Sequence, residues 1–162
     1  MKKIFITGTG TDVGKTYVTG LILKKLHNHG KRAAYFKAAM SGNVRRPDGS
    51  LIPGDALAVK AISQIKQPLH EMCPYIYEAS VSPHLAARLE GNPVDLSLVL
   101  DRLDDLCARY DYVTVEGSGG ILCPLRFDGQ KIHLEDLIRA RNFSCLIVAD
   151  AGLGTINAVG LT

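Results

Sequence analysis

The sequence predicts a three-layer α/β fold: a mostly parallel sheet with helices on both faces. Three observations predict it. The chain opens with a short apolar strand, Ile4 to Ile6, that runs through a Gly/Thr loop into a helical pattern. One helix later comes a second apolar strand, Ala33-Ala34-Tyr35-Phe36, so the first unit reads strand–helix–strand. Two further apolar runs, Tyr112-Val113-Thr114-Val115 and Phe143 to Ala149, each end in acidic and glycine residues. A strand–helix–strand unit of this length closes with a right-handed crossover, which makes neighbouring strands parallel.

Taken in order, the first helix spans Thr16 to His29, with Val18, Leu21, Ile22 and Leu26 at helical spacing and Gly30 as its stop. The strand Ala33–Phe36 ends at Lys37, and residues 38 to 54 read mostly as loop, punctuated by Ser41-Gly42-Asn43, Pro47-Asp48-Gly49 and Pro53-Gly54. Asp55 begins a helix that reaches about Ser63 on Ala56, Val59 and Ala61. Residues 66 to 83 read as irregular, with Pro68, Pro74 and Pro83. Ser82-Pro83-His84 opens a short helix, Leu85 to Glu90, and Gly91-Asn92-Pro93 stops it. Asp95 caps the next helix, whose Leu96, Val99, Leu100, Leu103 and Leu106 form an apolar stripe. After a polar turn at Asp128-Gly129, Ile132 to Arg139 reads as a short helix. The continuous apolar run Phe143–Ala149 suits a central parallel strand, and Ile156 to Thr162 reads as the opening of another helix.

At 162 residues and 46% hydrophobic content, residues 1–162 fit one globular domain with a real core. A net charge of +3 with scattered Lys and Arg gives no footprint for nucleic acid, and no apolar run is long enough for a membrane span. Cys73, Cys107, Cys123 and Cys145 lie far apart without metal-like spacing, which suits free thiols in the cytoplasm. The five histidines are equally dispersed and none is assigned to a metal. The final helical pattern has no terminating signal, which suggests a piece of a longer protein truncated at its C-terminal side.

The chemistry begins in Gly8-Thr9-Gly10-Thr11-Asp12-Val13-Gly14-Lys15-Thr16. In a strand–loop–helix context, backbone N–H groups and the helix N-terminus cradle an anion. Lys15 reaches outer phosphates and the Thr16 hydroxyl meets magnesium. The common form of this loop has its first glycine at the position of Thr9; here Gly8 lies one residue further back. The competing reading is a glycine-rich turn whose lysine faces solvent. Lys37, Glu116 and Asp150 each follow a strand, and in an open parallel sheet such ends share the ligand-binding edge. Asp55 alone would be a helix cap; with Glu116 it makes two carboxylates for a magnesium ion that Thr16 also touches. Ser118-Gly119-Gly120 offers either exposed N–H donors or a tight turn.

In these residues the chain resembles the dethiobiotin synthetases, a family within the P-loop NTPase superfamily. The oddly spaced loop Gly8 to Thr16, Lys37 followed by Ser41-Gly42, Asp55-Ala56, Ser82-Pro83-His84, Glu116-Gly117-Ser118-Gly119-Gly120 and Gly152 to Asn157 carry the likeness. Asp12 stands where many members have Glu, and Ala38 where Pro is usual. The resemblance implies ATP-dependent carboxylation and ring closure of 7,8-diaminononanoate with CO2, through a carbamate and a carbamic-phosphoric anhydride. It implies that the nucleotide is held by the loop from Gly8 through Tyr17, with Glu116 and Gly119. Lys37, Lys15, Thr11 and Ser41 would be catalytic, and Asp12, Lys37, Ser41, Ser118, Gly152, Leu153 and Asn157 would contact substrate. Thr16, Asp55 and Glu116 would hold Mg2+, and Gly152 to Asn157 would complete the site across a homodimer. A regulatory or partitioning ATPase would carry a further lysine where Gly10 stands. A cobyrinate-type amidotransferase synthetase would require a glutaminase domain. A nucleotide-binding domain without a reaction of its own is the remaining reading.

Overall fold

The computed structural model describes residues 2–162. The chain begins β1 (Lys2–Gly8), α1 (Lys15–Asn28), β2 (Ala33–Phe36), and then makes three two-residue strands, β3 (Ala39–Met40), β4 (Val44–Arg45) and β5 (Leu51–Ile52). Next come α2 (Gly54–Ser63), a 3₁₀ turn at Leu69–Glu71, β6 (Tyr75–Ile76), α3 (Pro83–Leu89) and α4 (Leu96–Arg109). The order closes with β7 (Tyr112–Glu116), β8 (Pro124–Phe127), β9 (Lys131–His133), α5 (Leu134–Ala140), β10 (Ser144–Val148) and α6 (Thr155–Leu161).

The main sheet has the order β10-β1-β7-β2 with every pairing parallel. Its register sets Ile6 beside Glu116 and Phe36 beside Val115. All four strands therefore release their chains at one edge, where the loops after β1, β2 and β7 meet.

Each face of the sheet carries its own core, and strand β2 shows why. Ala34 and Phe36 point to one side with Phe5, Val113 and Val115, where α4 adds Val99, Leu103 and Leu106 and α5 adds Leu137. Ala33 and Tyr35 point to the other, with Leu23 of α1, Ala56 and Val59 of α2, and Met72. Alternation with period two divides a fully buried strand between two layers of helices. On the second face α1 and α2 approach closely. A Cβ on Gly20 would lie 2.9 Å from the Cβ and Cγ2 of Ile62, so only glycine lets α2 sit there.

The outer edge of β2 is closed by a side chain. The Gln67 Oε1 accepts from the Tyr35 backbone N–H at 2.7 Å, and its Nε2 donates to the Tyr35 carbonyl at 3.0 Å. One amide thus does the work of a pairing strand, satisfying both backbone groups of a buried residue.

Several sequence expectations shift. Ile132 lies in β9, and the helix expected from it begins only at Leu134, because β8 and β9 pair as a hairpin across the Asp128-Gly129 turn. The loop 38–54 contains the short strands β3 to β5. The apolar run expected as a central strand forms β10, which pairs in parallel with β1 and, among the described residues, leaves Cys145, Leu146 and Ile147 exposed. Asp95 caps α4 as expected, accepting from the Ser97 N–H at 2.9 Å. All four cysteines are free thiols.

Candidate active site

The loop after β1 is drawn tightly against the sheet. A Cβ on Gly8 would meet Val13 Cγ2 at 2.7 Å and the Val148 carbonyl at 3.0 Å, so the strand end demands glycine. Asp12 and Gly14 take positive φ of 58° and 94°, which curls the loop at the start of α1. Lys15 is buried and donates from Nζ to the Gly10 carbonyl at 2.5 Å.

Five side chains then converge. Thr16 Oγ1 donates to Glu116 Oε1 at 2.8 Å, and Lys37 Nζ donates to the same oxygen at 3.0 Å. Lys37 Nζ also lies 2.6 Å from Asp55 Oδ2 at the first turn of α2. The other Glu116 oxygen, Oε2, accepts from the Tyr35 hydroxyl at 3.2 Å. Glu116 and Tyr35 are fully buried and Lys37 nearly so, whereas the Asp55 side chain is 38% exposed. The ion pair is strongly asymmetric, with one partner in the core and the other at the cavity mouth.

This burial shapes the titration of the cluster. At Lys37, desolvation opposes the charge, but Glu116 and Asp55 outweigh it, and the pKa stands above the ordinary lysine value. At Lys15, burial and then the neighbouring Lys37 charge lower the pKa, against the pull of Glu116, Asp12 and Asp55. The Tyr35 phenol is pushed well above its usual range by burial and by the Glu116 carboxylate.

Two cavities open here and share a wall. One of about 320 Å³ is bounded by Gly14, Lys15, Thr16, Tyr17, Lys37 and Glu116. The other, about 340 Å³, is bounded by Lys37, Ser41, Ser80, Ser82, Ser118 and Cys123. Thr11, Asp12, Lys37, Asp55 and Gly119 face both. The first is bounded by two lysines, Lys15 and Lys37; the second is rich in serine hydroxyls.

Most residues singled out in the sequence meet at this edge. Gly8, Thr9, Gly10 and Val13 build the loop, and Ser41 and Ser118 line the second cavity, although the Ser118 hydroxyl is turned onto the Ala39 carbonyl at 2.8 Å. Gly152, Leu153 and Asn157 line neither cavity; they are exposed on the loop and helix after β10. Asp150 organises that loop, accepting from the Gly152 N–H and the Thr155 hydroxyl.

Sequence reasoning missed three supports of the site. Tyr35 reads as an ordinary strand residue, yet its hydroxyl reaches Glu116. Gln67 sits in a proline-flanked loop without any pattern. Asn43 donates to the Met40 and Tyr77 carbonyls and accepts from the Gly54 N–H, tying the loop that carries Ser41 to the start of α2. The only sequence signal for Asn43 is its place in a Ser-Gly-Asn turn.

Among the described residues no group of three or more His, Cys, Asp or Glu could hold a metal ion. Thr16, Asp55 and Glu116 supply one hydroxyl and two carboxylates. The two carboxylates already close on a single cationic point, the Lys37 ammonium. Hard oxygens in that number fit Mg2+, which completes its shell with water and substrate phosphates rather than with an all-protein cage.

A strand, a curled glycine loop, a Lys-Thr helix start and a strand-end carboxylate define a P-loop nucleotide-binding protein. The family model described as AAA domain matches residues 2–162. The ATP-dependent dethiobiotin synthetase BioD of Brachyspira hyodysenteriae is 49% identical over 162 residues, covering 99% of this chain and 71% of that protein. Its namesake in Clostridium kluyveri is also 49% identical, with 99% and 67% covered. That of Clostridium botulinum strain 657 is 48% identical, with 100% and 71% covered. This chain belongs to the dethiobiotin synthetase family.

Proposed function

We propose that this protein is an ATP-dependent ligase that carboxylates 7,8-diaminononanoate with CO2 and closes the ring to dethiobiotin, releasing ADP and phosphate. Lys37 is the observation that carries the reading, because its ammonium stands in the wall common to the phosphate cavity and the hydroxyl-lined cavity. A protein that only cleaves ATP has one anion to manage. A carboxylating synthetase has two, a carbamate and a γ-phosphate, and must hold them against their mutual repulsion.

In this reading the loop N–H groups and Lys15 bind the phosphates, with Thr16, Asp55 and Glu116 holding Mg2+, which offsets charge on the transferring phosphoryl. One substrate amine adds to CO2, and the carbamate so formed lies against Lys37, Thr11 and Ser41. Lys15 and Lys37 align a carbamate oxygen with the γ-phosphorus, and transfer yields the carbamic-phosphoric anhydride and ADP. The second amine attacks the anhydride carbon, phosphate leaves, and the five-membered urea closes. Asp12, at the mouth of both cavities, attracts the ammonium form of the diamine, and Ser118 borders the substrate. Gly152, Leu153 and Asn157 complete the substrate site of a second subunit in a homodimer. The same reading makes the protein cytoplasmic, as its dispersed free thiols suit.

Supplying ATP, Mg2+, the diamine and ¹³C-bicarbonate tests the proposal. Dethiobiotin carrying one heavy carbon in its ureido carbonyl is the expected product. Unlabelled product, or ADP formed without any cyclised product, would refute it.

A further inference from the structure

Glu116 has two oxygens with different duties, and that difference exposes a residue the reaction scheme does not use. Oε1 faces the cavity, where Thr16 and Lys37 meet it. Oε2 faces inward, where the Tyr35 hydroxyl donates to it. We infer that Tyr35 is a positioning residue, which fixes the Glu116 carboxylate so that Oε1 alone is presented to a cation at the phosphate site. The inference rests on the reading of Glu116 as a metal ligand.

The physical argument turns on what a cation does to hydrogen bonds. An oxygen that ligates a cation gives up one of its two lone pairs to it, so Oε1 can then keep at most one of the hydrogen bonds from Thr16 and Lys37. Tyr35 is on the opposite oxygen and keeps its bond. It is then the donor that stops the carboxylate rotating about its terminal torsion, which is broad and roughly two-fold when free.

Tyr35 is itself held unusually well. Its ring is fully buried among Leu23, Ala56, Val59 and Met72, and its backbone N–H and carbonyl are both clamped by Gln67. Gln67 is anchored in turn by Lys60 of α2, whose Nζ donates to the Gln67 carbonyl at 2.7 Å. A chain of fixed groups therefore runs from α2 through the sheet edge to the carboxylate, the pattern by which outer groups orient metal ligands.

The hydrogen bond is long for O–H···O at 3.2 Å, so its effect is modest. In chain saturated with a non-hydrolysable ATP analogue, Tyr35→Phe is expected to weaken Mg2+ binding about threefold to tenfold by calorimetry. Affinity for the analogue in EDTA should stay within about twofold, a separation that a general loss of structure would not give. Adding Tyr35→Phe to Glu116→Gln should weaken Mg2+ binding no further, because the residue acts only through the carboxylate. That comparison also removes the buried charge whose exposure to an apolar ring threatens folding of the single variant. Unchanged Mg2+ affinity in Tyr35→Phe, equal losses with and without Mg2+, or a further loss in the double variant would overturn the inference. A damaged Glu116→Gln beside a silent Tyr35→Phe would sink the positioning role alone. Undiminished Mg2+ affinity in Glu116→Gln would remove the reading on which it rests.

Discussion

At the scale of single residues the protein concentrates its charge where it buries it. Lys15, Lys37 and Glu116 are among its few buried ionisable side chains, and each is paired at the ligand edge. Cys73, by contrast, is a buried group without a charged partner, donating from Sγ to the Tyr75 carbonyl. Burial pushes its pKa from 9.0 up to about 12. Between those values the unfolded chain releases a thiol proton that the folded chain keeps, so stability falls as pH rises through that window. The raised Lys37 pKa adds in the same direction but later, since its pairing is complete below the ordinary lysine value and is lost only as pH passes the raised one. Urea titrations from pH 8 upward should show the decline, and Cys73→Ala should flatten its early part; a curve as steep as in the unaltered protein would contradict this account. The residues of the phosphate loop were legible because their spacing is itself the chemistry. Tyr35 and Gln67 were not, because their partners lie 81 and 32 residues away and nothing local marks them, and the Ser-Gly-Asn turn gives no sign that Asn43 reaches Tyr77, 34 residues on.

At the scale of elements, each site residue is placed by a packing decision made elsewhere. Asp55 reaches Lys37 because α2 lies close on α1, and it lies close because Gly20 has no side chain. Gly20→Ala must push Ile62, and with it α2, outward. Overpacking of this kind costs about 1 to 3 kcal/mol. Thermal unfolding should record that loss, accompanied by weaker Mg2+-dependent nucleotide binding as Asp55 moves; full stability with unaltered binding would show that the helices adjust freely. The apolar stripe on α4 was legible from sequence and serves the opposite core. Leu103→Ala, fully buried there, should cost about 2 to 5 kcal/mol while leaving nucleotide affinity in the surviving folded protein unchanged. The onset of α5 was not legible. Ile132 has the spacing of a helix residue, but pairing across the Asp128-Gly129 turn claims it for β9.

At the scale of the whole molecule, a four-stranded parallel sheet separates two cores and gathers three loops at one edge. That arrangement followed from the order of elements, because strand–helix–strand units have a fixed hand. The lateral order did not follow. The run Ser144–Val148, whose apolar composition suits a central strand, pairs with β1 among the described residues. The site at the sheet edge joins two cavities through Lys37, and its use for two anions is the central claim. ATP cleavage with and without the diamine, compared between the unaltered protein and Lys37→Gln, tests that claim most directly. Cleavage in the unaltered protein should require the diamine, and Lys37→Gln should lose about a hundredfold or more in dethiobiotin formation. Its nucleotide affinity should change little, whereas Lys15→Gln should damage both. Cleavage at full rate without the diamine, and indifferent to Lys37, would contradict the account.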